Sequence, residues 1–266
     1  MLRTRKHRMA APGAGLFSLA MGAAFLCASC SPARAGDAAP PTRWREVWSG
    51  ADVASDVWLL YSGVTIAPFS HIHGEGLRLR VVGGYGEYTF EDHFRDTGEP
   101  GTAVAGVGTF RGRVTFSDAL VGYLWRLDPL TAKAFVGMSA IRHDIEPFGA
   151  QTEQQGLEIG PKGVIELWLN MGPAAWSSLD LNWTTAHDTG AIRFRTAYRV
   201  LPTVSAGIEA GVNASGELND ARGGAFLRYE WAGGEISAAA GLSSDFSGIR
   251  TGEADPYATV NWITQF

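Results

Sequence analysis

The chain has 266 residues, 45% of them hydrophobic and 18% charged, with 22 Lys+Arg against 27 Asp+Glu and a formal net charge of −5. That length fits one domain or two small ones, and the acid excess argues against nucleic-acid binding, which needs a basic surface. Past the first 35 residues no apolar run approaches the roughly 18 residues of a membrane-spanning helix.

Residues 1–35 read as a secretory signal. Arg3 to Arg8 ("RTRKHR") form the cationic start, "AGLFSLAMGAAFLCA" the apolar stretch, and Ala33-Arg34-Ala35 an A-x-A cleavage site before Gly36. Acylation at Cys30, as in a lipoprotein, is the alternative, although "CAS" lacks the usual upstream Leu. Cleavage removes both cysteines, Cys27 and Cys30, and with them any disulfide, thiolate or zinc–thiolate chemistry. It also removes five of the 22 basic residues and no acid, leaving 17 against 27, a net −10.

After a Pro-containing leader (36–43), twelve segments of period-2 pattern are predicted: about 44–53, 57–66, 76–90, 111–127, 131–143, 157–170, 175–185, 191–200, 204–212, 222–231, 235–245 and 256–266. Most are longer than a typical soluble strand and suit a tilted crossing of a bilayer. The connections alternate. "DPL" (128–130), "GPA" (172–174), "LPT" (201–203) and "AGG" (232–234) are tight turns, whereas 91–110, 144–156, 213–221 and 246–255 are long. Short turns on one side and long loops on the other are the mark of an outer-membrane barrel. Two connections fit less well: 67–75 is long for the turn side and 54–56 short for the loop side. Gly83, Gly84 and Gly86 lie inside a strand pattern, where glycine permits coiling and bulges.

The two faces differ in chemistry. Ile192, Phe194 and Tyr198 alternate with Arg193, Arg195 and Arg199; Leu179, Leu181 and Trp183 with Ser178, Asp180 and Asn182; Leu77, Leu79 and Val81 with Arg78 and Arg80. One face is apolar with aromatics near its ends (Trp183, Tyr198, Trp231, Trp262), as for a lipid band with girdles. The other carries Arg78, Arg80, Glu166, Asp180, Arg193, Arg195, Glu209, Arg228 and Glu230, with Trp168 beside Asn170. Each Arg would cost about 2–4 kcal/mol at mid-membrane on the lipid side, so this set is assigned to a lumen. There it either braces the barrel through ion pairs or contacts solute. Trp168 and Tyr88 have the surfaces to stack on sugar rings and equally to pack.

The last strand, "YATVNWITQF" (257–266), sets Phe266, Thr264, Trp262, Val260 and Ala258 on one side and Gln265, Ile263, Asn261, Thr259 and Tyr257 on the other. A final Phe with apolar residues at alternate positions resembles the closing signal of outer-membrane barrels, Thr264 departing from it.

"WREVWSGADVASDVWLLYSGVTIA" (44–67), "LRVVGGYGEYTF" (79–90), "DALVGYLWRL" (118–127), "GPKGVIELWLN" (160–170) and the closing strand resemble the cellulose biosynthesis protein BcsS family, across about 44–266. The resemblance implies an all-β, single antiparallel barrel in the outer membrane of a Gram-negative bacterium, tied to cellulose production or secretion. Its implied partners are outer-membrane lipid, glucan and other secretion components. It implies no enzymatic activity, catalytic residue or cofactor. A conduit or docking role for the exopolysaccharide is expected, with a purely structural scaffold or a rim hydrolase acting on lipid or acyl groups as alternatives.

For a hydrolase the candidates are His71, His73, His93, His143 and His187, with Asp144 and Asp188 adjacent to the last two and Ser177 and Ser178 upstream. No G-x-S-x-G elbow occurs, and a triad is a matter of geometry that spacing does not establish. His71-Ile72-His73 sets two imidazoles on one side of an extended segment without a third ligand at a telling distance. Neither an enzyme nor a metal site is expected.

Overall fold

The computed structural model describes residues 43–96, 104–146, 155–215, 218–245 and 254–266. The signal and the leader up to residue 42 lie outside the described residues. The strands are β1 (Arg45–Ala54), β2 (Val57–Ile66), β3 (Gly76–Asp96), β4 (Val104–Leu127), β5 (Leu130–Glu146), β6 (Gly156–Met171), β7 (Ala175–Thr184), β8 (Thr189–Leu201), β9 (Val204–Ser215), β10 (Leu218–Trp231), β11 (Gly234–Asp245) and β12 (Ala254–Gln265). Each pairs antiparallel with its neighbour in sequence, and β1 pairs with β12 from Glu46↔Gln265 to Ala54↔Tyr257, closing the barrel. Closure satisfies every edge, the condition for strands to cross lipid. No helix among the described residues is long and apolar enough to cross a membrane.

The predicted twelve-stranded antiparallel barrel is thus the fold. The start of β1, the end of β12 and the tight turns share one end, here the turn end. The opposite loop end is where the sequence reading needs correcting. The loop read over 91–110 is largely strand, because β3 runs to Asp96 and β4 starts at Val104 in one continuous ladder. The loop read over 213–221 is likewise strand on both sides of residues 216–217, which lie outside the described residues, with Leu218 paired to Ser215. These extensions rise past the membrane zone, so they need no alternating apolar face and read as polar, Gly-rich loop. "EDHFRD" (91–96) is accordingly part of β3.

The outer wall is apolar at alternate positions: Leu60, Val81, Val136, Ile192, Ile208, Leu227 and Val260 are all exposed. Tyr123, Trp125, Tyr198, Tyr229, Trp231 and Trp262 ring the turn end, while Tyr85 and Trp183 sit toward the loop end. Tyr123 is level with Leu77, and Tyr85 is eight residues further along β3, a height of about 20 Å for tilted strands.

Glycines shape the inner wall. Trp48 stands directly opposite Gly63, Tyr61 opposite Gly50, Phe116 opposite Gly84, Tyr88 opposite Gly112 and Phe135 opposite Gly122. A Cβ at any of these glycines would overlap the ring across from it. Each aromatic therefore lies back on a neighbouring strand instead of projecting across the lumen.

The long turn 67–75 is the second departure from a plain barrel. It tucks against the turn end, with Ala67 and Ile72 buried and the Ile72 N–H bonded to the Arg43 carbonyl at 2.7 Å. Arg78, 1% exposed, holds it. Its guanidinium donates to Ser70 Oγ at 3.1 Å, to the carbonyls of His71 (3.2 Å), Ile72 (3.1 Å) and Leu77 (2.8 Å), and to that of Gly74. All of these bonds come from the two terminal nitrogens of the planar guanidinium fork, a spread that a lysine ammonium does not reproduce. Arg78→Lys is expected to loosen the turn while the barrel stays closed, read as faster proteolysis within 67–75 of the detergent-folded protein.

Candidate functional site: the lumen

The barrel encloses a cavity of about 1200 Å³. Its lining includes Glu46, His73 and Gln265 at the turn end and Ser55, Asp56 and Asp255 at the loop end.

Of the residues assigned to the lumen from sequence, Arg80, Glu166, Trp168, Asp180, Arg193, Arg195, Arg228 and Glu230 line this cavity. Arg78 and Glu209 do not. Arg78 is covered by the turn it clamps. Glu209 is 5% exposed, sealed between Arg195 Nε at 2.8 Å and the Tyr257 hydroxyl at 2.8 Å. Both point inward, as the alternation demanded, but neighbours cover them.

The charges are arranged as cross-strand pairs. Lys133 faces Glu166 at 3.1 Å, Arg193 faces Asp180 at 3.6 Å and Arg195 faces Glu209, each pair directly opposite in its ladder. Other pairs are chords between distant strands. Arg80 reaches Glu166 from β3 to β6, its guanidinium 3.8 Å above the Phe135 ring. Arg222 reaches Asp52 from β10 to β1 at 2.5 Å. Lys162 meets Asp118 at 2.7 Å, and the Ser139 hydroxyl donates to the same carboxylate at 2.6 Å. Glu230 and Glu235 stand directly opposite each other, and Arg228 bridges both, 3.0 Å from Glu230. Like charges facing in a ladder repel, so this arginine is what lets them coexist.

An aromatic cluster lies near the turn end. Trp168 and Trp176 stack at 4.1 Å between centroids with 20° between planes, and Phe226 packs against Trp176 at 5.6 Å. Trp176, 1% exposed, donates its indole N–H to Ser205 Oγ at 3.2 Å. The Trp168 N–H goes to Asn170 Oδ1 at 3.1 Å. Arg228 sits 4.7 Å from the Trp168 ring and 5.1 Å from that of Trp176, and Arg195 sits 5.0 Å from Phe226. Arg228 Nη1 is buried without a hydrogen-bond partner.

At the loop end the β7–β8 connection folds inward. Gly160 leaves the space, since a Cβ there would overlap Thr185. His187, at φ +50°, rests its ring 4.8 Å from that of His143 and its Nδ1 3.3 Å from Glu158. The Tyr88 hydroxyl lies 2.7 Å from His143 Nδ1. Neither serine candidate meets a histidine: Ser177 donates to Thr196 Oγ1 at 3.1 Å, and Ser178 lines the lumen beside Trp168 on the next strand. His73 bonds Gln265 at 2.8 Å, and the side chain of His93 lies outside the described residues. No group of three His, Cys, Asp or Glu positioned for a metal occurs among the described residues.

Sequence reasoning missed Trp176, Lys133, Lys162, Asp52, Asp118 and Glu235. Their parity within each strand was the available signal: Trp176 shares it with Ser178 and Asp180. Their partners on other strands had none.

Among solved structures, the KdgM porin is similar at TM-score 0.46 and 8% identity, covering 83% of this chain and 99% of the porin. The transport unit of the autotransporter AIDA-I from Escherichia coli is similar at 0.43 and 11%, covering 88% and 93%. The translocator domain of NalP from Neisseria meningitidis is similar at 0.43 and 11%, covering 86% and 90%. No curated protein matches this chain in sequence. The family described as cellulose biosynthesis protein BcsS matches residues 47–266, nearly the whole barrel, and the chain belongs to that family.

Proposed function

We propose that this cellulose-biosynthesis barrel is a passive conduit through which a β-1,4-glucan chain crosses the outer membrane, its turn end facing the periplasm after removal of the signal. The observation that carries the reading is a cavity lined by residues from both ends of the wall. Twelve residues tilted by about 40° span about 30 Å. A volume of about 1200 Å³ spread over that height has a mean section of about 40 Å², the girth of one extended sugar chain and not of a folded protein. Paired charges and amides along the wall offer hydrogen bonds to hydroxyls without chemistry on the chain.

The test is conductance. The mature protein in planar bilayers is expected to form steady ion-conducting channels that cellohexaose blocks. Folded barrels that do not conduct, together with cellulose lost on gene deletion, would replace the conduit by docking of other secretion components. One observation favours that second reading: Phe69 is 86% exposed at the tip of the Arg78-clamped turn.

A further inference from the structure

We infer that Trp168 is a stacking subsite for a single neutral glucose ring, placed just inside the turn-end entrance and backed by Trp176. The inference rests on the conduit reading for its polymer and on four observations for its place and chemistry.

The first is depth. Trp168 is three residues from the end of β6, Trp176 is the second residue of β7, and Arg228 is three residues from the end of β10. Material entering from the turn end meets this cluster first. In strand order the cluster on β6, β7 and β10 lies across the barrel from β2 and β3, whose connecting turn brings Ile72 and His73 to the opposite side of the same entrance.

The second is which ring is open. Both rings belong to the cavity wall, but Trp176 is buried at 1% exposure, whereas Trp168 is half-buried and is the more accessible of the two. Arg228 is 4.7 Å from one ring and 5.1 Å from the other, with 4.1 Å between them. Those three lengths place the guanidinium beside the stacked pair and not beyond it. The far face of Trp168 is therefore not the one Arg228 covers.

The third is rigidity. The Trp168 N–H is fixed by Asn170, its rear face by Trp176, and Trp176 in turn by Ser205. A ring held on two sides stacks with little loss of freedom on binding. The fourth is charge. In the aromatic cluster Arg228 stands between Glu230 and Glu235, and Arg195, beside Phe226, is paired with Glu209, two cations against three carboxylates. A uronic-acid ring would meet a net negative surround, whereas an uncharged pyranose presents C–H faces to the indole and hydroxyls to Asn170 and Glu230.

The experiment pairs two readouts on the full mature chain: block of bilayer conductance by cellohexaose, and intrinsic tryptophan fluorescence in detergent with the same oligosaccharide. Trp168→Ala is expected to raise the half-blocking concentration about tenfold, and Trp168→Phe to raise it by no more than about threefold. Hexagalacturonate is expected to block at least about tenfold more weakly than cellohexaose. Folding of each variant is checked by its heat-modifiable migration in gels. Unchanged block in folded Trp168→Ala, or equal block by the two oligosaccharides, overturns the subsite while leaving the conduit standing. Fluorescence binding lost in Trp168→Ala, in a wild type that does not conduct, upholds the subsite and overturns the conduit.

Discussion

Val81→Arg is expected to cost about 2–4 kcal/mol of barrel stability and to cut the yield of folded protein sharply. Val81 is 56% exposed on the outer wall. It lies four residues from Leu77, which is level with Tyr123 of one girdle, and four from Tyr85 of the other, so it marks the middle of the hydrocarbon. An arginine there has no partner and must drag water or headgroups inward. The check is a denaturant midpoint of the heat-modifiable form after folding into liposomes. Val164→Arg supplies the contrast: Val164 is half-buried and lines the lumen, where a guanidinium finds water and carboxylates, and less than half the loss is expected. Equal losses at the two positions would mean that the faces are assigned the wrong way round.

Glu166→Ala is the second large effect. One carboxylate serves two cations, Arg80 and Lys133. Removing it leaves Arg80, with only 7% of its side chain exposed, facing Lys133 without compensation. Breaking a buried pair from one side costs about 3–5 kcal/mol. Glu166 keeps 25% exposure to the lumen, so the low end, about 3 kcal/mol, is expected. Adding Arg80→Met should recover most of that loss, because a thioether packs on Phe135 and removes the orphaned charge. A thermal or urea midpoint for the two single variants and the double closes the cycle. A double variant no more stable than Glu166→Ala alone would show that the network does not couple.

Most of the architecture is written in local pattern. Twelve strands and their alternation follow from period-2 runs and turn residues, and the closing pair β1–β12 follows from the need to leave no edge in lipid. Pattern failed where the membrane stops imposing it. Past Phe90 the β3–β4 ladder continues into water, and "EDHFRDTGEPGTAVAGVG" gives no reason to choose strand over loop. In the lumen, alternation told which way Arg80, Arg193 and Arg228 point, but not whom they meet. Arg80 and Glu166 are 86 positions apart and Arg222 and Asp52 are 170; such chords depend on register and barrel closure together. Arg78 and Glu209 show the same limit from another side, since parity sets direction and not depth of cover. Trp176 was legible by parity beside Ser178, but its role as the wall behind Trp168 depends on the β6–β7 register, which pairs it with Asn170.

The ring-over-glycine pairs carry a consequence for how such a tube changes in descent. With Tyr88 lying on Gly112 and Phe116 on Gly84, the bore at each level is decided by a facing couple and not by the number of staves. Calibre can therefore drift one rung at a time, provided both members of a couple change together. A lone methyl in place of the hydrogen tips a ring into the passage and throttles it.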